Sequence, residues 1–208
     1  MQKKPTIALD ADGVLLDYHQ AYRQVWQKAF GVLPELADPQ AYFPYDRWKV
    51  PWLDFAERDH LRSFQDDEFW QTLPAIDGAV QAAMELHAVG FELVCVSALP
   101  LQFESARLKN IRDLGFPIER VFATPVATSD AKSSRSVKAD VLEQIRPMAF
   151  VDDFAPYLRG IPSGIHAALI LREPNGSPNV GNDLALAHSK HEDLADFAQW
   201  WLDRMDGT

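Results

Sequence analysis

Apolar residues fall into two kinds of run along this 208-residue chain. The first kind is short and continuous: Ile7-Ala8-Leu9, Phe91 to Val96, Met148 to Val151 and Ile165 to Leu171. Such runs have the length of strands buried on both faces. The second kind is spaced at three and four residues, as in Tyr18, Tyr22, Trp26 and Phe30, which marks the buried stripe of a helix. The pattern predicts a strand over 5–10, a helix near 18–30 and helical structure onward to about 73. A helix over 78–89 follows between Gly78 and Gly90, then a strand over 91–97 and a helix over 102–114 that Gly115 and Pro117 stop. Next come a short strand near 120–123, an irregular Ser-rich stretch over 128–137, a helix over 138–146, strands over 148–152 and 165–171, and a final helix over 190–205. Ser189 and Glu192 have capping-box spacing for that last helix. Strands alternating with helices imply an α/β, Rossmann-like fold: a doubly wound, mainly parallel sheet with right-handed crossovers.

One interval does not fit a plain crossover. About 80 residues separate Asp10 from Phe91, where about a dozen suffice to return to a parallel strand. The expected division is a core of residues 1–17 and 74–208, with 18–73 a small helical insertion after the first strand. The insertion is rich in aromatics, among them Tyr42, Phe43, Tyr45, Trp48, Trp52, Phe55, Phe69 and Trp70. Most are expected to build its own core, leaving one or two for a ligand.

The strand ends carry the candidate chemistry. Asp10-Ala11-Asp12-Gly13 follows the first strand, and Gly13 breaks it, so two carboxylates land at the carboxyl edge where open α/β sheets bind ligands. Such close acids call for a cation or a shared proton. The strand over 91–97 ends at Ser97, and the strand over 148–152 ends at Asp152-Asp153. Lys132 and Lys138 lie between them, Lys138 opening a helix.

Acid pair, hydroxyl, lysine and acid pair in that order resemble the four motifs of the haloacid dehalogenase superfamily, over about residues 5–172. The resemblance implies that Asp10 is a nucleophile forming an aspartyl phosphate and that Asp12 is the general acid and then base. It further implies that Ser97 and a lysine bind the phosphoryl group, Lys138 being preferred and Lys132 second. Mg²⁺ would be held by Asp10, the Asp12 main-chain carbonyl and Asp152, with Asp153 supporting. An Asp two residues after the nucleophile implies phosphomonoester hydrolysis, with a phosphomutase as the lesser alternative. The insertion would then be a C1-type cap over the site. Asp10 to Asp17 and Phe69 to Val80 also resemble 5'(3')-deoxyribonucleotidases, which implies a nucleotide among the small phosphorylated substrates. Ser97-Ala98-Leu99-Pro100 departs from their usual Thr-Ser-Pro.

Composition narrows this further. A net charge of -10 argues against a nucleic-acid polymer as partner. The absence of a long apolar span or a signal-like N-terminus argues against a membrane, and with the single cysteine, Cys95, it suits a cytoplasmic protein. Arg172, in a loop after a strand, is read as part of a surface turn, and His188 and His191 as solvated. Trp200 and Trp201 are expected to pack on the sheet or a partner subunit. The reading from another class is a non-catalytic or regulatory phosphate-binding protein of the same fold.

Overall fold

The computed structural model describes residues 4–125 and 133–206. Among these, six strands form one entirely parallel sheet: β1 (Thr6–Leu9), β2 (Glu92–Ala98), β3 (Ile118–Thr124), β4 (Ala149–Asp152), β5 (His166–Ile170) and β6 (Ser189–His191), in the spatial order β3-β2-β1-β4-β5-β6. The chain order reverses between β2 and β4, on either side of β1, so the carboxyl end of β1 sits at the switch point of a doubly wound sheet.

Alternation along each strand decides which side chain meets which layer. Ile7, Leu9, Leu93, Cys95, Ala149, Val151, Ala168 and Ile170 enter the larger core. That core is closed by α5 (Ala79–Ala88), α6 (Glu104–Asp113), α8 (Leu194–Asp206) and the inserted segment. Ala8, Val94, Val96, Phe150, Ala167 and Leu169 face the other way, onto α7 (Ala139–Ile145) and the turn over Ala155–Leu158. Both faces are covered, which is why the strand sequences are continuous rather than alternating.

The segment after β1 contains α1 (Tyr18–Phe30), α2 (Pro44–Arg47), α3 (Phe55–Ser63) and α4 (Asp67–Gln71). It leaves and re-enters the rest of the chain through a two-stranded neck. Leu16 pairs with Ala75, the Asp17 amide donates to the Pro74 carbonyl at 2.8 Å, and the Ile76 amide to the Leu15 carbonyl at 2.9 Å. Asp17 caps α1, accepting from the Gln20 amide at 3.0 Å. Trp26 is buried along the stripe predicted for α1, with Tyr18, Tyr22 and Phe30 packed against the same core.

The main departure from the sequence pattern is at the C-terminal end. Ser189 does not open a helix: residues 189–191 add a sixth strand beside β5, and α8 begins at Leu194, where Asp193 accepts from the Asp196 amide at 2.8 Å. The apparent capping box was a strand followed by a different cap. His191 is consequently buried, not solvated, because strand alternation turns it onto Phe197 and Trp200. Trp200 and Trp201 pack on this sheet edge against His166 and Phe197. His188 is exposed, as expected, but its Nδ1 accepts from the Ala167 amide at 2.8 Å.

Burial lowers the His166 imidazole to about 4, with the charges of His188 and Arg204 acting in the same direction. Burial also lowers His191, against the opposing charge of Asp196, and brings His19 of α1 to about 4. An unfolded imidazole takes its proton near pH 6.5. As pH falls from there toward 4, the unfolded chain therefore binds protons at these three rings that the folded one refuses, and their contribution to stability is lost through that window. Thermal melts at pH 7.5, 6, 5 and 4.5 are expected to show the midpoint of wild type falling relative to that of His166→Asn as pH drops below 6.5, because the variant lacks the imidazole that the folded chain keeps unprotonated.

Candidate active site

Strand register places the acids. Ala8 pairs with Phe150 and Leu9 with Val151, so Asp10 and Asp152 continue the same two neighbouring strands side by side. Their even positions turn them toward α7, whose first turn follows Lys138. The Lys138 ammonium lies between them, 2.7 Å from Asp10 Oδ1 and 2.7 Å from Asp152 Oδ2, with no exposure of its own. The rings of Tyr157 and Phe150 face it with centroids at 4.5 and 5.6 Å. Burial works against this charge, yet Asp10 and Asp152 outweigh it and hold the ammonium more firmly protonated than a free lysine. Lys132, the other lysine considered, lies outside the described residues.

Asp10 Oδ1 also accepts from the Ala11 amide at 2.7 Å, and Asp152 Oδ1 from the Phe154 amide at 2.8 Å. Asp153 packs under the turn at Gly13, whose φ of 83° is left-handed; a Cβ there would collide with the Asp153 carboxylate. Asn179 fixes the far side of that turn, donating to the Asp153 carbonyl at 2.7 Å and accepting from the Ala155 amide at 2.6 Å. Asp10, Asp152 and Asp153 each bring a carboxylate oxygen to within 4.8 Å of the others. Burial and their mutual charge raise Asp152 and Asp153 above the usual carboxylate range. One lysine against three clustered acids leaves anionic oxygen uncompensated, and an all-oxygen set of this kind fits a hard divalent cation.

A cavity of about 820 Å³ opens over these groups. The sheet side contributes Asp10, Asp12, Ser97, Asp153, Phe154 and Tyr157; the inserted segment contributes Tyr18, His19, Tyr42, Phe43, Arg62 and Trp70. Ser97, almost fully buried at the end of β2, reaches the cavity on the side of β1 away from β4. All the motif residues within the described chain therefore meet at one place.

Several residues were not foreseen. Tyr42 lines the cavity with Asp153, and burial together with the charges of Asp153, Asp152 and Asp10 raises its phenol well above an ordinary tyrosine. Its backbone pairs with the loop after β5: the Tyr42 amide donates to the Asn175 carbonyl at 2.9 Å, and the Asn175 amide to the Gln40 carbonyl at 3.0 Å. Arg172 is not on a free surface turn. Its Nε bonds Glu173 Oε1 at 2.6 Å, both residues line the cavity, and Arg47 Nη1 and His19 Nε2 approach the same oxygen at 3.8 and 4.0 Å. Arg107 of α6 is completely buried. Its Nη2 donates to Asp12 Oδ2 at 3.0 Å and lies 2.8 Å from Oδ1, which accepts no well-aligned bond. Burial raises the Asp12 carboxyl, the Arg107 charge pulls it down, and Asp10 pushes it up again. A signal was present: Ala106, Arg107, Asn110 and Ile111 share one helical face, so an arginine and an asparagine sit on the core side of an otherwise polar helix.

No protein-family model matches the sequence, and no curated protein matches it either. Solved structures do match over nearly the whole chain. A conserved haloacid dehalogenase-like protein of unknown function from Agrobacterium tumefaciens is similar with a TM-score of 0.61 at 14% identity, over 98% of this chain and 100% of that one. The chain has the haloacid dehalogenase fold. A haloacid dehalogenase family hydrolase from Deinococcus radiodurans, solved with phosphate and sodium, matches with a TM-score of 0.58 at 17% identity over 93% of each chain. A D,D-heptose 1,7-bisphosphate phosphatase from B. bronchiseptica, complexed with magnesium and phosphate, matches with a TM-score of 0.50 at 15% identity, over 96% of this chain and 99% of that one.

Lys138→Met leaves Asp10 and Asp152 buried beside each other without a countercharge. Urea unfolding at pH 7.5 is expected to show a loss of about 3–5 kcal/mol. Gly13→Ala forces a side chain into a left-handed turn already filled by Asp153, and in the same assay should cost more than about 1 kcal/mol.

Proposed function

We propose that this protein is a divalent-metal-dependent phosphomonoester hydrolase of the haloacid dehalogenase superfamily. The observation that carries the reading is Asp10: a carboxylate at the switch point of the sheet, held by a buried lysine, open to a large cavity and followed two residues later by a second acid. In the proposed reaction a carboxylate oxygen of Asp10 attacks phosphorus as the ester P–O bond breaks, and the Asp12 carboxyl gives its proton to the departing alkoxide. Asp12, now ionised, takes a proton from the water that attacks the aspartyl phosphate, releasing phosphate and freeing Asp10. Ser97 donates to a phosphoryl oxygen, and Lys138 balances the charge of Asp10 throughout. Mg²⁺ held by Asp10, Asp152, the Asp12 carbonyl and, directly or through water, Asp153 would supply electrostatic stabilisation of the transferring group.

Residues 18–73 are, in this reading, the cap that encloses the reaction, since the cavity walls come from both sides of the Leu16–Ala75 neck. Tyr18, Phe43, Trp70 and Phe103 line that cavity, which supports a leaving group bearing a flat ring, nucleotides first among them. The single cysteine, deeply buried, is in keeping with a cytoplasmic setting.

The test is phosphate release from a panel of phosphomonoesters, deoxynucleotides included, with Mg²⁺ or with chelator. Turnover is expected with Mg²⁺, none with chelator, and a loss of at least about 10³-fold in Asp10→Asn. A wild type that binds phosphate and Mg²⁺ yet turns over no ester would favour the non-catalytic alternative. Transfer of phosphate within the substrate would favour the mutase.

A further inference from the structure

Arg107 is a full positive charge with no exposure; among the described residues it has a single carboxylate partner, and two of its buried N–H groups, at Nε and Nη1, meet no acceptor. As a stabilising device this is a poor arrangement, since burying a guanidinium demands that its donors be used. What it does is hold one carboxylate. Among the described residues, Arg107 Nη2 is the donor that reaches the Asp12 carboxylate, which otherwise projects into the cavity beside the like charge of Asp10. We infer that Arg107 is the positioning residue for Asp12, and that Trp70 couples this pair to the inserted segment. The inference rests on the phosphatase reading, in which Asp12 moves the proton.

The coupling follows from stacking. The Arg107 guanidinium lies over the Trp70 ring at 5.0 Å. Trp70 belongs to α4 of the insertion, and its Nε1 donates to the Gln65 carbonyl at 3.0 Å. It also stacks with Phe103 at 5.8 Å and with Tyr18 at 6.5 Å. All three rings line the cavity. The guanidinium thus touches both the aromatic wall and the acid. A leaving group pressed on that wall also fixes the group behind it, and with it the proton donor.

The test separates positioning from folding by leaving group. An alkyl phosphate needs its leaving oxygen protonated, whereas p-nitrophenolate leaves unaided, so its first turnover does not use Asp12. In Arg107→Met, kcat for an alkyl phosphate should fall about 100-fold or more, within the range general acids contribute, with KM within about 3-fold. First-turnover release of p-nitrophenol should stay within about 10-fold of wild type, followed by slow turnover because hydrolysis of the aspartyl phosphate still needs the base. Arg107→Lys, which keeps the charge and loses the fork, should recover part of the alkyl-phosphate rate, and it carries the test if the Met variant does not fold. In an Asp12→Asn background, Arg107→Met should change nothing further. Equal losses on both esters, or an undiminished cost without Asp12, would reduce Arg107 to a structural residue and overturn the inference. A wild type that releases phosphate from neither ester would instead bring down the phosphatase reading, and this inference with it.

Discussion

One ammonium group organises this molecule. Neighbouring parallel strands run about 4.8 Å apart, so Asp10 and Asp152, buried at the same level of β1 and β4, would repel each other. Lys138 sits in that gap and bonds both. The consequences reach outward. Helix α7 has to start where the residue that caps it, Lys138, can dip into the switch point, β1 and β4 have to stay in register, and Phe150 and Tyr157 are the rings around the charge. One lysine stands against three clustered acids, and the carboxylate oxygens of Asp10, Asp152 and Asp153 form an oxygen donor set of the kind that could hold a metal ion.

The inserted segment adds a second layer of constraint. It joins the rest of the chain at the Leu16–Ala75 neck and again, far along its length, where Ala41 and Tyr42 pair with Asn175. The charged cluster of His19, Arg47, Arg172 and Glu173 spans the same seam. The insertion is therefore held on two sides of the cavity, which lets a side chain as distant in sequence as Tyr42 line the cavity with Asp153. Its aromatics divide accordingly: Trp26 and Phe69 serve its core, while Tyr18, Tyr42, Phe43 and Trp70 present surface to the cavity.

The legible part of the site was the part written along strands. An apolar run followed by an acid or a hydroxyl marks a strand end, so Asp10, Asp12, Ser97, Asp152 and Asp153 could be placed at one sheet edge before any contact was known. Lys138 was legible as a helix start. Arg107 was not, because α6 has few apolar residues and its buried face is discernible only once one accepts a charge within it. Arg172 and Glu173 were hidden because a Pro-Asn-Gly turn reads as solvent-facing, and only packing against the insertion turns them inward. The sixth strand escaped for a different reason: three residues are too few for periodicity, and Ser189 carries a cap-like signal while its Oγ instead lies 2.8 Å from both the His166 and His191 rings.

Cys95 lies mid-strand in β2, next to β1, with no exposed surface and a thiol that burial holds firmly protonated. As the chain's only cysteine, it makes the native protein silent to thiol reagents, because the reactive thiolate is neither formed nor reachable. Modification has to wait until the centre of the sheet comes apart. The natural chain thus carries its own unfolding clock: the rate at which Cys95 reacts measures how often the deepest part of the fold opens.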